Sequence, residues 1–411
     1  MRRRLPLPLL GRTQVWILAF FLAFSLPAGA TAKRRRSSAH RAGAHVTSRS
    51  PREVRRGPST EPAYPNSADG DSVTGDDMTV RRITVQALGP NYGSVVVVDS
   101  STGRVLSILN QKLALGDGFQ PCSTFKVSVA LAALSEKVIA PGDTVPVGRT
   151  NIDLTDALAH SNNHFFANLG CELGFEKVSH YAHQFGYGEK AGVNIVGEGV
   201  GHFPPAPPSN GGVGRLSSFG EEIGQTPLQF AALMCAIANG GTLYCLQYPR
   251  NAQEVASLTP KVKRKLSIEQ PISGIIPGLR EAVEGGTART ARQAEPIAGK
   301  TGTCSEDRMH LGWFGAFNSV GRKLVVVVLL MGRQGSGPRA AGIAGEIYRQ
   351  LSEANYLVEP PVAPRSAPPV RRLTRSGSIL SKALILIFSS AILILIWRML
   401  RERKRRTDFG H

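Results

Sequence analysis

Cysteine is scarce in this chain, with five in 411 residues. That excludes a disulfide-dense scaffold. No Cys/His cluster has zinc-ligand spacing, so neither a metal nor a cofactor is expected. Aromatics are thin at 7% and charged residues make up 19%, while hydrophobic residues reach 42%. A chain with that apolar share is neither fully disordered nor collagen-like. No internal repeat is present. Acids are the scarcer charge, 30 against 49 Lys and Arg, which leaves a formal net charge of +19. The length allows two or three domains on a prior of roughly 100–200 residues each.

The basic excess raises the question of a nucleic-acid face, and its distribution argues against one. Residues 1–32 carry +4, residues 33–80 carry +3, residues 81–355 carry +4 and residues 356–411 carry +8. No basic patch is interleaved with aromatics and no reading motif is present, so nucleic acid is not an expected partner. The short block Lys261-Val262-Lys263-Arg264-Lys265 reads as a solvated helix face or loop.

Hydrophobic segments explain the basic ends. Arg2-Arg3-Arg4, the apolar stretch Val15–Leu26 and the small residues Ala30-Thr31-Ala32 read as a secretory signal peptide, with an uncleaved signal anchor as the alternative, over residues 1–32. A second stretch runs from Ile379 to Trp397. As a helix it spans about 28 Å, close to the roughly 30 Å hydrocarbon core, so residues 379–397 are expected to be a transmembrane helix. A buried core helix is the plainer alternative. Lys382 sits near one end and can snorkel, and Trp397 lies where an interfacial aromatic would. The run Arg401–Arg406 marks residues 398–411 as a basic cytoplasmic tail. The catalytic part then lies on the outer face of a cell membrane. Residues 33–80 read as a disordered basic tether and residues 356–378 as a Pro/Arg-rich linker. The folded domain is expected over residues 81–355, long enough for one sizeable core.

Within that domain, Ser94–Asp99 and Arg104–Leu109 flank a Ser-Thr-Gly turn and read as a hairpin. Ser123–Glu136, Thr155–Leu173 and Lys177–Phe185 read as helices. Thr226-Pro227-Leu228-Gln229 has the form of a capping box and opens a helix that stops at Gly240-Gly241. Ile297–Cys304, Leu311–Phe317 and Leu324–Met331 read as strands, and Ala340–Ala354 as a closing helix. Strands at both ends around a helical block predict an α+β fold: an antiparallel β-sheet flanked by helices, with a mostly helical subdomain.

Three short motifs follow one another: Ser123-Thr124-Phe125-Lys126, Ser161-Asn162-Asn163 and Lys300-Thr301-Gly302-Thr303. Each alone is weak, since a polar helix start, a turn and a strand edge account for them. Together, in order and each on a suitable element, they suggest one site. Positions i and i+3 share a helix face, so Lys126 can bring its amine to the Ser123 hydroxyl. A helix N-terminus at Ser123 favours an oxyanion. A hydroxyl needs a base, and a lysine serves once desolvation and a neighbouring cation lower its pKa. Lys300 is the expected cation and Ser161 the expected proton relay between the lysines. Asn163 is expected to hold a substrate amide. Thr301, Gly302 and Thr303, on a strand edge, are expected to pair with an extended peptide, with Gly302 leaving room for it. The N–H groups of Ser123 and Thr303 are the expected oxyanion donors.

With Leu169-Gly170, Phe185-Gly186-Tyr187-Gly188, Thr226–Gln229 and Trp313-Phe314-Gly315 added, nearly all of residues 92–353 resembles the transpeptidase domain of penicillin-binding proteins. The resemblance implies acylation of the serine by a D-Ala-D-Ala stem peptide of peptidoglycan, loss of the terminal D-Ala and transfer to a neighbouring amine. It also implies covalent capture by β-lactams. Gly220-Glu221-Glu222 departs from the family's glycine-rich turn. A class D-like serine β-lactamase shares the first motif, but its second usually ends in an apolar residue where Asn163 is polar. A non-catalytic β-lactam or peptidoglycan sensor is opposed by the three intact motifs. A D,D-carboxypeptidase, with water as acceptor, is not separated by sequence. Cys122 and Cys304 each adjoin a motif; the plainer reading is two small buried side chains, the sharper one a disulfide or redox-sensitive pair. His160 and His164 read as surface or packing residues.

Overall fold

Four consecutive valines, Val95–Val98, need apolar cover on both faces of any strand they form. The computed structural model describes residues 66–306, 309–358 and 377–407. In it these valines lie in β1 (Gly93–Asp99), which pairs antiparallel with β2 (Arg104–Leu109). The strands β3 (Thr144–Val147) and β4 (Thr150–Asp153) form one small hairpin. A second joins β5 (Thr242–Cys245) to β6 (Lys261–Lys265). β7 (Ile297–Glu306), β8 (Met309–Asn318) and β9 (Leu324–Met331) complete the main sheet, whose order is β2-β1-β9-β8-β7. The first strand pairs antiparallel with the last, Gly93–Asp99 running against Leu324–Leu330.

Side chains alternate across this sheet into two cores. Val95, Val97, Val326, Val328 and Phe314 pack with α1 (Met78–Leu88) and with a long C-terminal helix, Gly337–Glu353. Val96, Val98, Val325, Val327 and Trp313 face the helical block. That block contains α2 (Gln111–Ala114), α3 (Lys126–Ser135), α4 (Leu154–Ala159), α5 (Asn163–Leu173), α6 (Phe175–Gln184), α7 (Gly212–Phe219) and α8 (Pro227–Ala238). It is followed by α9 (Ala252–Ala256) and α10 (Glu269–Glu284), and the long helix Gly337–Glu353 is α11. Every residue of α8 is buried, so it packs on the sheet as a central apolar rod. Its expected capping box is present: Gln229 N donates to Thr226 Oγ1 and Thr226 N donates to Gln229 Oε1.

The α+β fold and its antiparallel sheet agree with the sequence, and several details differ. The helix expected over Thr155–Leu173 is broken between Ala159 and Asn163. The block Lys261–Lys265 is a strand, not a helix face or loop. α10 is unforeseen, because Pro271, Gly274, Pro277 and Gly278 read as breakers. Gly278 is required there by contact, since a Cβ would stand 2.7 Å from Leu158 Cβ.

The domain also begins earlier than residue 81. Asp77 caps α1 by accepting from Thr79 N and Val80 N. Asp71 accepts from Asn110 N, Gln111 N and Arg81 Nη2 at 2.7–2.8 Å. Asp76 accepts from Ile108 N, Ser107 Oγ and Tyr248 OH. Arg81 is itself buried and pairs with both carboxylates. Composition scores these acids as solvent-seeking; here they satisfy a buried guanidinium and backbone N–H groups, which binds residues 66–80 to the domain. At the other end Leu357 is buried in the second core, so the domain outlasts residue 355. Residues 1–65, 359–376 and 408–411 lie outside the described residues; they include the signal segment, most of the first tether, most of the linker and the end of the tail. The expected membrane segment falls in α12 (Gly377–Thr407). Among the described residues no helix is long and apolar enough to cross a membrane.

Candidate active site

The break between α4 and α5 creates the centre of the site. Asn162 caps α5 by accepting from Phe165 N at 2.9 Å. Before it, Ser161 has φ 56°, a left-handed conformation uncommon for serine. This turn meets the amine of Lys126, whose Nζ donates to Ser161 O (2.6 Å) and Asn163 Oδ1 (2.6 Å) and lies 3.1 Å from Ser161 Oγ. Ser218 Oγ donates to Asn163 O at 2.8 Å and holds the start of α5. The Phe166 ring lies beneath the amine, its centroid 5.6 Å from Nζ.

Lys300 reaches the same hydroxyl from β7. Its Nζ donates to Ser161 Oγ and to Thr301 O, both at 2.9 Å. One hydroxyl thus bridges two amines on elements far apart in sequence, the arrangement a proton relay requires.

Both lysines have 0% exposure. Burial disfavours an ammonium ion, and it lowers the Lys126 pKa to about 7. Lys300 is lowered well below the ordinary lysine value, first by burial and then by repulsion from Lys126. The expected desolvation of Lys126 is present, whereas the expected help from a Lys300 cation is not: the repulsion between the amines falls on Lys300, whose own ammonium form is disfavoured. Burial thus favours the neutral form of both amines. A neutral Lys126 amine has two N–H groups, matching its short bonds to Ser161 O and Asn163 Oδ1, and a lone pair left over.

Ser123 lies in a 3₁₀ turn, Cys122–Phe125, that leads directly into α3. The helix expected from Ser123 is regular only from Lys126. Ser123 is half-buried and one turn before Lys126. Among the described hydrogen bonds none joins Lys126 to Ser123; the amine is turned to Ser161 and Asn163 instead.

The Lys-Thr-Gly-Thr residues occupy β7, the edge strand of the sheet. Gly302 faces the nucleophile turn, and a Cβ there would stand 2.8 Å from Pro121 O and 3.1 Å from Thr124 Cγ2. The space it leaves is filled by that turn, rather than being kept open for a peptide. Thr301 Oγ1 is buried and donates to Thr287 Oγ1 at 2.7 Å, so its hydroxyl does not face an open edge. Thr303 is exposed, and its hydroxyl accepts from Gly337 N at 2.8 Å, the first residue of α11. Asn163 is exposed, with its oxygen engaged by Lys126 and its NH₂ group available to a carbonyl. The structure thus brings Lys126, Ser161, Asn163 and Lys300 together, with Ser123 one turn before Lys126, and turns the Thr301 hydroxyl elsewhere.

Cys122 and Cys304 form a disulfide with Cα atoms 5.6 Å apart, which overturns the plainer reading of two separate thiols. Cys171, Cys235 and Cys245 are free. His160 and His164 are exposed, in keeping with their surface reading. In the departing loop, Glu221 pairs with Arg215. Sequence reasoning missed the supports Thr287 and Ser218. Thr287 follows the unforeseen α10, and Ser218 lies in α7, for which no motif gave a signal. Among the described residues no group of His, Cys, Asp and Glu side chains is placed to hold a metal ion.

Residues 93–353 match the family described as Penicillin binding protein transpeptidase domain. The chain is similar to Stage V sporulation protein D of Bacillus subtilis, 29% identical over 280 residues, covering 59% of this chain and 43% of the relative. It is similar to peptidoglycan D,D-transpeptidase MrdA of Haemophilus influenzae, 22% identical over 354 residues, covering 66% and 54%. Peptidoglycan D,D-transpeptidase PbpA of Mycobacterium tuberculosis is 25% identical over 343 residues, covering 66% and 68%. The chain spans about half the length of the first two of these curated relatives. Its fold is similar to that of the solved Pseudomonas aeruginosa PBP2 in complex with WCK 5153, with a TM-score of 0.57 at 22% identity, covering 69% of this chain and 78% of that one.

Proposed function

The chain belongs to the penicillin-binding protein transpeptidase family, and on that footing we propose that it is a serine D,D-transpeptidase that cross-links peptidoglycan stem peptides through an acyl-Ser123 intermediate. The observation that carries this reading is the Ser161 hydroxyl held between the buried amines of Lys126 and Lys300. Neutral Lys126 takes the Ser123 proton as Oγ attacks the carbonyl carbon of the penultimate D-Ala. The Ser123 and Thr303 N–H groups hold the resulting oxyanion, each such donor contributing about 3–4 kcal/mol in the transition state. As the C–N bond breaks, the proton passes from Lys126 through Ser161 to the departing D-Ala amine. Lys300 donates to Ser161 Oγ throughout and orients that relay. The amine of a neighbouring stem then attacks the acyl-serine, a new amide forms, and Ser123 regains its proton. The Asn163 NH₂ group holds a substrate carbonyl. β7 presents its backbone to the extended peptide, with Thr301, Gly302 and Thr303 taking part through main-chain groups and the exposed Thr303 side chain. In a β-lactam the leaving amine stays tethered to the acyl group, so the adduct persists.

The proposed setting is the outer face of a cell membrane. Residues 1–32 act as signal peptide or anchor, residues 379–397 span the bilayer and residues 398–411 remain cytoplasmic. Two features support this. The large apolar side chains of α12 from Leu386 to Leu400 are exposed and need a covering medium. A disulfide suits an oxidising compartment.

The test is incubation of the full chain with a stem pentapeptide ending in D-Ala-D-Ala. Released D-Ala together with cross-linked dimers supports the proposal. D-Ala release without dimers indicates a D,D-carboxypeptidase, and no release with either wild type or Ser123→Ala contradicts the acyl-serine reading.

A further inference from the structure

Cys122 precedes the nucleophile and Cys304 follows Thr303, so the disulfide joins the immediate neighbours of the two oxyanion donors. Three observations bear on what it does there. Cys122 has φ 53°, in the left-handed region that a residue with a Cβ occupies only when its surroundings hold it there. Rotation at Cys122 turns the peptide plane that carries the Ser123 N–H. β7 is an edge strand, and beyond Thr303 its ladder pairs it only with β8, Cys304 facing Leu311. Gly302 packs against Pro121 O and Thr124 Cγ2, but the hydrogen bonds in this region reach residue 120: Gln120 N donates to Glu306 Oε2 at 3.2 Å, and Trp313 Nε1 donates to Gln120 O at 2.9 Å.

We propose that the Cys122–Cys304 disulfide is a positioning device that fixes the separation of the Ser123 and Thr303 N–H groups, and that its reduction slows acylation of Ser123. This deepens the acyl-serine reading above and rests on it. Reduction by a dithiol proceeds by attack of one thiolate on Cys304 Sγ, the half-buried partner, while Cys122 is fully buried. The S–S bond breaks and Cys122 departs as a thiolate that takes up a proton. The second thiol of the reagent then closes its own disulfide and releases Cys304, so two electrons and two protons pass to the protein.

The test compares oxidised and dithiothreitol-reduced full-length protein, each reacted with a fluorescent penicillin. The final labelled fraction counts folded sites, and the rate per labelled site reports positioning. The expected result is an equal final fraction with acylation at least 10-fold slower after reduction. The double variant Cys122→Ala, Cys304→Ala is expected to match the reduced wild type and to ignore dithiothreitol. Reoxidation is expected to restore the rate in wild type alone. An unchanged rate per labelled site in the reduced protein or the double variant overturns the proposal. A smaller labelled fraction at unchanged rate, or loss of labelling together with loss of the far-UV circular dichroism, overturns it too, because the bond is then only a staple of the fold. Absence of labelling in the oxidised protein means that the acyl-serine reading itself has failed.

Discussion

Lys300 Nζ donates to Ser161 Oγ at 2.9 Å across 139 residues of chain. That bond engages one lone pair of the hydroxyl, while Lys126 Nζ lies 3.1 Å from the same oxygen. Replacing Ser161 with glycine removes the hydroxyl while tolerating the φ of 56°. Ser161→Gly is expected to slow acylation by a β-lactam roughly 10²–10⁴-fold, the range for loss of a proton-transfer group. Stopped-flow kinetics check this, and a wild-type rate would remove Ser161 from the relay.

Lys300→Ala is expected to slow acylation without unfolding the domain. Its amine is buried and its pKa is lowered by burial and by Lys126, so the fold gives up little charge stabilisation when it goes. Acylation kinetics alongside thermal melting separate the two effects. Unchanged acylation would take Lys300 out of the mechanism.

The pH dependence follows from the Lys126 pKa of about 7 against the ordinary 10.5. As the base, Lys126 must be neutral, so the acylation rate is expected to rise with pH through about 7 and then level. The unfolded chain keeps the Lys126 proton up to the ordinary value. Between about 7 and 10.5 it binds more protons than the folded chain, so this group makes stability rise with pH across that window. The slope is at most about 1.4 kcal/mol per pH unit, and the contribution is flat below and above the window. A rate limb near 10 in place of 7 would contradict the assignment.

Gly302→Ala places a methyl group 2.8 Å from Pro121 O, a backbone atom with little freedom to retreat. The expected cost is about 1–3 kcal/mol of stability. Acylation is expected to slow as well, because the turn that moves carries Ser123. Differential scanning calorimetry and labelling kinetics check both, and an unaltered protein on both counts would mean that β7 and the turn are not tightly coupled.

The N-terminal boundary is testable in the same way. Asp76→Ala removes an acceptor shared by Arg81 Nη1, Ser107 Oγ, Ile108 N and Tyr248 OH. The expected loss is about 3 kcal/mol or more, since a buried guanidinium loses one of its two carboxylates. A melting temperature within a degree of wild type would show that Asp76 does not help hold residues 66–80 to the domain.

Much of this was legible in the chain. The three motifs and the capping box depend on local pattern, which survives in sequence, and the antiparallel fold followed from strands standing at both ends of the domain. What was not legible depends on tertiary context. Gly274 and Gly278 look like breakers and are contact points inside α10. Asp71 and Asp76 look like tether acids and are buried ligands of Arg81. Ser161 looks mid-helical and stands in a left-handed break, because the helix must stop there to aim its hydroxyl at two amines. The Cys122–Cys304 bond joins residues 182 apart; the motifs beside both cysteines raised the pairing, and only the fold decides it.

The most direct measurement is mass spectrometry of the full chain after exposure to benzylpenicillin, with peptide mapping of the adduct. The predicted result is one persistent penicilloyl group on Ser123, absent in Ser123→Ala. An adduct elsewhere, or equal labelling of Ser123→Ala, would contradict Ser123 as the nucleophile.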